Sequence, residues 1–273
     1  LNELDTKTIY WMMNIAFLAA VVSDYREDRN EMTWRRFLPL GLPLLIVIGL
    51  LFQYAAPFWY WFVAHWLDGG HLWHWDDAFR AMPFNDGAIF RIVQPESFTW
   101  FMRWIYDYGF IMAWGAALLR SFLAKDALKM IRYTLSSHML QLPFIVPFYM
   151  TILLNEVWFV LGEPDGMARN LAGAELLSTV RNCFPSMHTS VSFAVLLLAL
   201  RERGRLYKWI MVSYCSLVIY STLYLTIHWV LDVIGGLALG AFTVMAVDKL
   251  MDRAERSASK RRSAGQTVTN VAK

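Results

Sequence analysis

Residues 37–56 read FLPLGLPLLIVIGLLFQYAA, and this stretch decides the fold. It holds no Asp, Glu, Lys, Arg or His over about 20 residues, the length an α-helix needs to cross the hydrocarbon core of a bilayer. Arg35 and Arg36 stand directly before it, a basic flank of the kind that borders a membrane helix. The whole chain agrees with the stretch. Of 273 residues 57% are hydrophobic and 17% charged, against about 45–50% and about 25% in soluble domains. Aromatic residues make up 16%, with 13 Trp, which suits many rings at membrane interfaces.

Working outward, six more apolar segments can be drawn: 9–22, 104–119, 133–154, 187–200, 209–227 and 230–247. The one at 187–200 is short for a span unless its neighbours join the helix. Basic residues give an orientation. Of the 25 Lys and Arg, all but Lys7, Arg80, Arg91, Arg103, Arg169 and Arg181 fall in the turns 23–36, 120–132 and 201–208 or in the tail. The positive-inside rule makes that side cytoplasmic, with the C-terminus inside and the N-terminal end outside. The net charge of +3 reflects this pattern and is no footprint for nucleic acid. The expected fold is all-α, a polytopic membrane helical bundle. Residues 1–252 form the membrane domain and 253–273 a basic, disordered cytoplasmic tail.

Two outer connections are long. Residues 57–103 carry HLWHWDDAFRAMPF and VQPESFTWFMRW, which read as amphipathic helices on the membrane surface. Residues 155–186 contain Gly162, Pro164, Gly166 and Gly173 and lead into a Phe-Pro-Ser-Met-His segment. Cys183 and Cys215 lie at different depths, so no disulfide is expected, and no zinc spacing exists. No cleavable signal peptide is expected either, since the first apolar run lacks a basic flank.

The chemistry-bearing residues collect on the outer side. His228 and Asp232, in LTIHWVLDVIGG, are four apart and share a helix face, so the carboxylate can fix the imidazole tautomer. By itself this pair reads as an interfacial hydrogen bond. His188 follows Pro185 and Ser186, where Ser186 is a candidate N-cap and the free amides of a helix start favour a phosphate. Two histidines and a carboxylate on one face of the membrane permit one imidazole to attack phosphorus and the other to act as general acid. Other polar groups are weaker candidates. His71, His74, Asp76 and Asp77 read as the polar stripe of an interfacial helix rather than a metal site. His138 is on the wrong side. Tyr106, Asp107, Tyr108, Asn155 and Glu156 are headgroup contacts or interface residues. Gly235, Gly236 and Gly240 give the last segment a small packing face.

The Phe-Pro-Ser-Met-His segment, followed by STLYLTIHWVLDVIGG, resembles the two C-terminal motifs of the type 2 phosphatidic acid phosphatase superfamily. Its Tyr-Leu-Thr-x-His-x-x-x-Asp string is most similar to the branch that contains fungal inositol phosphorylceramide synthase. The resemblance covers about the last third of the chain. It implies a six-helix phosphatase-like core with an extra N-terminal helix, no cofactor or metal, lipid substrates, and a bacterial inner membrane rather than a eukaryotic Golgi location. It also implies His228 as a nucleophile that forms a phosphohistidine, Asp232 as its partner and His188 as the acid for the leaving alcohol. Two positions depart from the pattern: Met187 replaces a glycine, and Thr222 replaces an arginine that would clamp phosphate. Either Arg169 or Arg181 is then expected to supply phosphate charge, Arg181 being closer in sequence to His188, and Ser186 to contact the substrate. These departures favour transfer of a phosphoryl or phospho-headgroup to a lipid alcohol, with hydrolysis of a lipid phosphate the alternative. A non-enzymatic lipid transporter or binding protein is the remaining class.

Overall fold

The computed structural model describes residues 3–66, 73–181 and 184–271. Its helices are α1 (Glu3–Val22), α2 (Trp34–Trp66), α3 (Asp76–Ala81), α4 (Glu96–Leu123), α5 (Ala127–Thr134), α6 (Leu142–Thr151), α7 (Val157–Leu161), α8 (Gly173–Thr179), α9 (Met187–Ala199), α10 (Arg205–Tyr224) and α11 (Val230–Val271). Most of the apolar residues lie in helices, as their composition demands. Among the described residues, two helices are long and apolar enough to cross a membrane, Trp34–His65 and Val230–Ser257. The others carry polar groups at their seams, such as Asn14 and Ser121, that are buried against neighbouring helices.

At the centre α9 packs against α11, α10 and α4, while α1 lies on α4 and α10 and α2 lies on α6. The main core joins Phe17, Ile48, Trp104, Ala113, Val195, Met211 and Val244. Close approach of α9 and α11 depends on the small residues of α11. A Cβ on Gly236 would lie 2.7 Å from the Ser186 carbonyl oxygen, and one on Gly240 would lie 2.6 Å from that of Ser190. The small face read from sequence is thus the seam that brings the start of α9, with Ser186, against α11. By contrast, α2 turns Leu42, Ile46, Leu50, Phe58 and Trp61 outward.

Several expectations need correction. The segment at 133–154 is not one helix: a π-turn, Leu135–Met139, separates α5 from α6, and the chain leaves the helix at Ile152. Residues 57–66 continue α2 instead of lying on a surface as a separate helix. The stretch containing His74 is not helical but pairs in parallel with the end of α6, Trp73 beside Ile152 and His74 beside Leu153. His71 lies outside the described residues. The tail is helical to Val271 instead of disordered. A helix already nucleated in the bundle extends at little cost through residues of good helix propensity such as Ala, Arg, Lys and Glu.

Candidate active site

Three strands of chain converge at one end of the bundle, and an aromatic cluster fastens them. Phe79 of α3 packs on Trp229 at 6.1 Å and on Phe184 at 6.1 Å, with Trp75 beside both Phe79 and Phe184. Trp229 is fully buried, and its indole N–H donates to the Asn155 carbonyl at 3.0 Å. Asn155 in turn gives its backbone and side-chain N–H groups to the two carboxylate oxygens of Asp76, at 2.8 and 2.6 Å. Asp76 is therefore a brace behind the histidine turn.

The start of α11 is capped from far away in sequence. The Asn85 backbone carbonyl accepts from the Val230 amide at 2.8 Å, and its side-chain oxygen accepts from the Leu231 amide at 3.0 Å. Its amide group donates to the Phe79 carbonyl at 3.0 Å. A second set of bonds fixes the residues just before His228. The Val157 and Trp158 amides, at the start of α7, donate to the Ile227 and Thr226 carbonyls, and the His228 amide donates to the Thr222 carbonyl at 3.0 Å.

These restraints hold His228 and Asp232 one turn apart. The His228 Nδ1 lies 3.4 Å from Asp232 Oδ2, which also accepts from the Trp229 amide at 3.0 Å. Asp232 is wholly buried, and Oδ1 has no hydrogen-bond partner among the described residues. Facing this pair, Ser186 caps α9 by accepting from the Thr189 amide, while its own amide donates to the Asp232 carbonyl at 3.2 Å. The cap expected from sequence is present, and it ties the two motifs together through the backbone. Next to it, the His188 ring stacks on Tyr106 (centroids 4.2 Å, 16° between planes) and meets the edge of Phe110 at 4.9 Å. The imidazoles of His188 and His228 have centroids 6.3 Å apart.

The structure thus gathers His188, His228, Asp232 and Ser186. Of the two arginines singled out from sequence, one is held by carboxylates and the other is exposed. Arg169 is bound by two carboxylates: Nε donates to Asp165 Oδ2 at 2.9 Å, and Nη2 is hydrogen-bonded to Glu156. Burial pushes the Asp165 carboxyl up, but hydrogen bonds from the Arg169 side chain and from the Arg169 and Met167 amides outweigh it and hold it below the usual carboxylate range. Arg181 is exposed just after α8. Sequence reading passed over Asn85, whose cap on α11 spans 146 positions. It treated Tyr106 as an interface residue and did not single out Phe110. Tyr106 precedes and Phe110 follows the kink of α4 at Gly109, which turns both rings onto His188.

The bundle thus brings two imidazoles and a buried carboxylate together at one end. Residues 108–256, more than half of the chain, match the model of the PAP2 superfamily, and the protein belongs to that superfamily. Membership indicates a phosphatase or phosphotransferase acting on phosphorylated substrates. No curated protein and no solved structure matches the chain.

Proposed function

We propose that this protein is a multi-pass membrane enzyme that moves a phosphoryl or phospho-headgroup from a lipid donor to a lipid alcohol through a phosphohistidine. The observation that carries the reading is the His188–His228 pair, with centroids 6.3 Å apart and one ring anchored on a buried carboxylate. With Nδ1 turned to Asp232, Nε2 of His228 is the nitrogen left to attack. The N–P bond forms as the P–O bond to the leaving alcohol breaks, and His188 gives that oxygen its proton. In the second half an acceptor hydroxyl attacks phosphorus, His188 takes its proton, and the N–P bond breaks. Asp232 fixes the tautomer and stabilises the charge that grows on His228. The 3.4 Å contact is long, as such contacts are before a transition state tightens them.

The lipid substrate and membrane setting are supported by the two apolar helices and by the outward apolar face of α2. In this reading residues 1–252 form the membrane catalytic domain, built on a six-helix core plus α1. The basic tail, 253–273, lies in the cytoplasm of a bacterium, and the site faces the opposite side of its inner membrane. Transfer, as in the inositol phosphorylceramide synthase-like branch, is favoured over hydrolysis by Met187 and by Thr222. The Thr222 hydroxyl is turned back onto the Ile219 carbonyl at 2.7 Å and offers no cation to free phosphate. Ser186, which caps the helix that carries His188, is placed to face the substrate. Arg169 contributes positive field through its carboxylate-bound guanidinium, and Arg181 draws anionic headgroups to the rim. No metal takes part in the proposed steps.

The test is purified full-length protein in detergent with labelled phospholipid, comparing phosphate release with formation of a new lipid product. His228→Ala should lower turnover by about a thousandfold or more, the scale of losing a nucleophile that works as part of a unit. Wild-type turnover in that variant would sink the mechanism, and phosphate release without lipid product would make the enzyme a phosphatase.

A further inference from the structure

The connection between α3 and α4 is built inside out. From Ala81 to Val93 every exposed residue is apolar, while the polar ones, Asn85, Asp86 and Arg91, are buried or half-buried. Phe84 is 87% exposed, Ile92 79%, Val93 73% and Ile89 69%. Single exposed apolar side chains are ordinary on a protein surface, but a loop bathed by water carries polar side chains outward. Several large apolar groups gathered on one short loop mark a surface made for a partner. The exposed Arg80 and Glu96 bound the stretch on either side.

The backbone of the loop finds its partners inside the protein. The Asn85, Gly87 and Phe90 amides donate to the Met82, Phe84 and Gly87 carbonyls at 3.3, 3.3 and 2.9 Å. The Asp86 carbonyl accepts from the Arg91 side chain at 2.6 Å and the Phe90 carbonyl from the Tyr220 hydroxyl at 2.8 Å. Arg91 is also ion-paired with Asp86 at 3.2 Å and Glu163 at 3.4 Å. Non-helical backbone is tolerated at membrane depth when its polar groups are bonded within the protein, as these are. The level of the loop agrees. At 20 residues α10 is about 30 Å long, the thickness of a hydrocarbon core. Tyr220 lies near its C-terminal end, and Gln94 donates to the Tyr224 carbonyl at 3.0 Å. The loop therefore flanks the end of α10 instead of standing beyond it.

We propose that residues 81–93 form a membrane-seated loop, whose partner is the acyl region of the lipids in the leaflet on the histidine side. Asn85, between the outward Phe84 and Ile89, caps the helix that carries Asp232, so the seat of the loop in the lipid fixes that helix end against the bilayer. The inference deepens the membrane reading above and is read without any turnover. Full-length protein is placed in phosphatidylcholine vesicles with a nitroxide on Phe84→Cys or Ile92→Cys, in a Cys183→Ser background, Cys215 being buried. Leu50→Cys, on the outward face of α2, and Glu175→Cys, exposed on α8, serve as lipid and water references. Power saturation with oxygen and a nickel chelate should give positions 84 and 92 an oxygen-to-nickel accessibility ratio at least fivefold above that at 175 and close to that at 50. Water-like ratios at 84 and 92 with a lipid-like ratio at 50 overturn the loop and spare the membrane reading; a water-like ratio at 50 as well overturns both. Low access to both reagents at 84 and 92 means that protein, such as a second copy of the chain, covers the loop, which also overturns the proposal. In the double variant Phe84→Asp, Ile92→Asp, hydrogen exchange at the Val230 and Leu231 amides should be at least tenfold faster than in wild type, and an unchanged rate overturns the link to α11.

Discussion

The two ends of the bundle handle charge in opposite ways. At the end remote from the histidines, Arg120 of α4 is buried and bonds Asp24 at 2.5 Å and Asp28 at 2.6 Å, with the Tyr207 ring 4.3 Å beneath it. The same two carboxylates accept from the Arg203, Gly204, Leu206 and Tyr207 amides and so cap α10. Lys129, Glu202 and Tyr133 extend the network. Most of these groups find a partner within the chain. At the histidine end, Asp232 keeps one oxygen without a partner among the described residues. One end uses its charge to hold helices together, and the other leaves a buried carboxylate partly unbonded. Buried ionic groups are costly unless fully bonded, so the open end needs a rigid surround.

The largest effect that sharpens this contrast comes from the closed end. Arg120→Ala strands two carboxylates and should cost about 3–5 kcal/mol of stability, the usual scale for breaking a buried ion network. Thermal melting checks the loss, and turnover per folded molecule should stay near wild type at low temperature. A large fall in turnover with an unchanged melting point would dissolve the distinction between the ends. Next in size is Gly236→Ala. The added methyl meets the Ser186 carbonyl and should cost about 1–3 kcal/mol by overpacking, and because it pushes α9 from α11 it should also reduce turnover. Equal turnover to wild type would mean that the seam does not set the histidine spacing.

The smallest effect is on acid stability. Burial raises the Asp28 carboxyl, but the hydrogen bonds from Arg120 and the Arg203 amide bring it below its ordinary value. Asp165 is lowered in the same way at the other end. A lowered folded-state pKa gives stability that is complete above the unfolded value, about 4, and is lost as pH falls through the folded value. Melting temperature should therefore be flat from neutral pH down to about 5 and fall below about 4. Asp28→Asn should be less stable at neutral pH and show a shallower acid decline. An identical decline in the variant would assign acid sensitivity to other groups.

Much of this was legible in the sequence. Runs of apolar residues marked the helices, and the four-residue step from His228 to Asp232 put both groups on one turn, because helix geometry is local. Ser186 announced its own cap. What escaped depends on partners distant in the chain. Nothing near Asn85 says that it ends α11, and nothing near Asp76 says that it holds Asn155. The break between α5 and α6 has only an ambiguous local sign: the polar Ser136, Ser137 and His138 interrupt the apolar run, but nothing in them specifies a π-turn. Composition alone does not reveal that residues 253–271 continue α11, because the helix that enters them is set by packing further up the chain. Gly109 is a further case. It kinks α4 beside His188, where a Cβ would lie 3.1 Å from Val218 and 3.6 Å from the His188 ring.

The Asn85 cap has a consequence for how the protein is made. The helix that carries Asp232 cannot complete its first turn on its own, since its leading amides are satisfied by a loop synthesised more than a hundred residues earlier. The loop that carries Asn85 is made before α11, so the cap forms only once α11 has been made, and a chain stopped short of α11 carries His188 without Asp232.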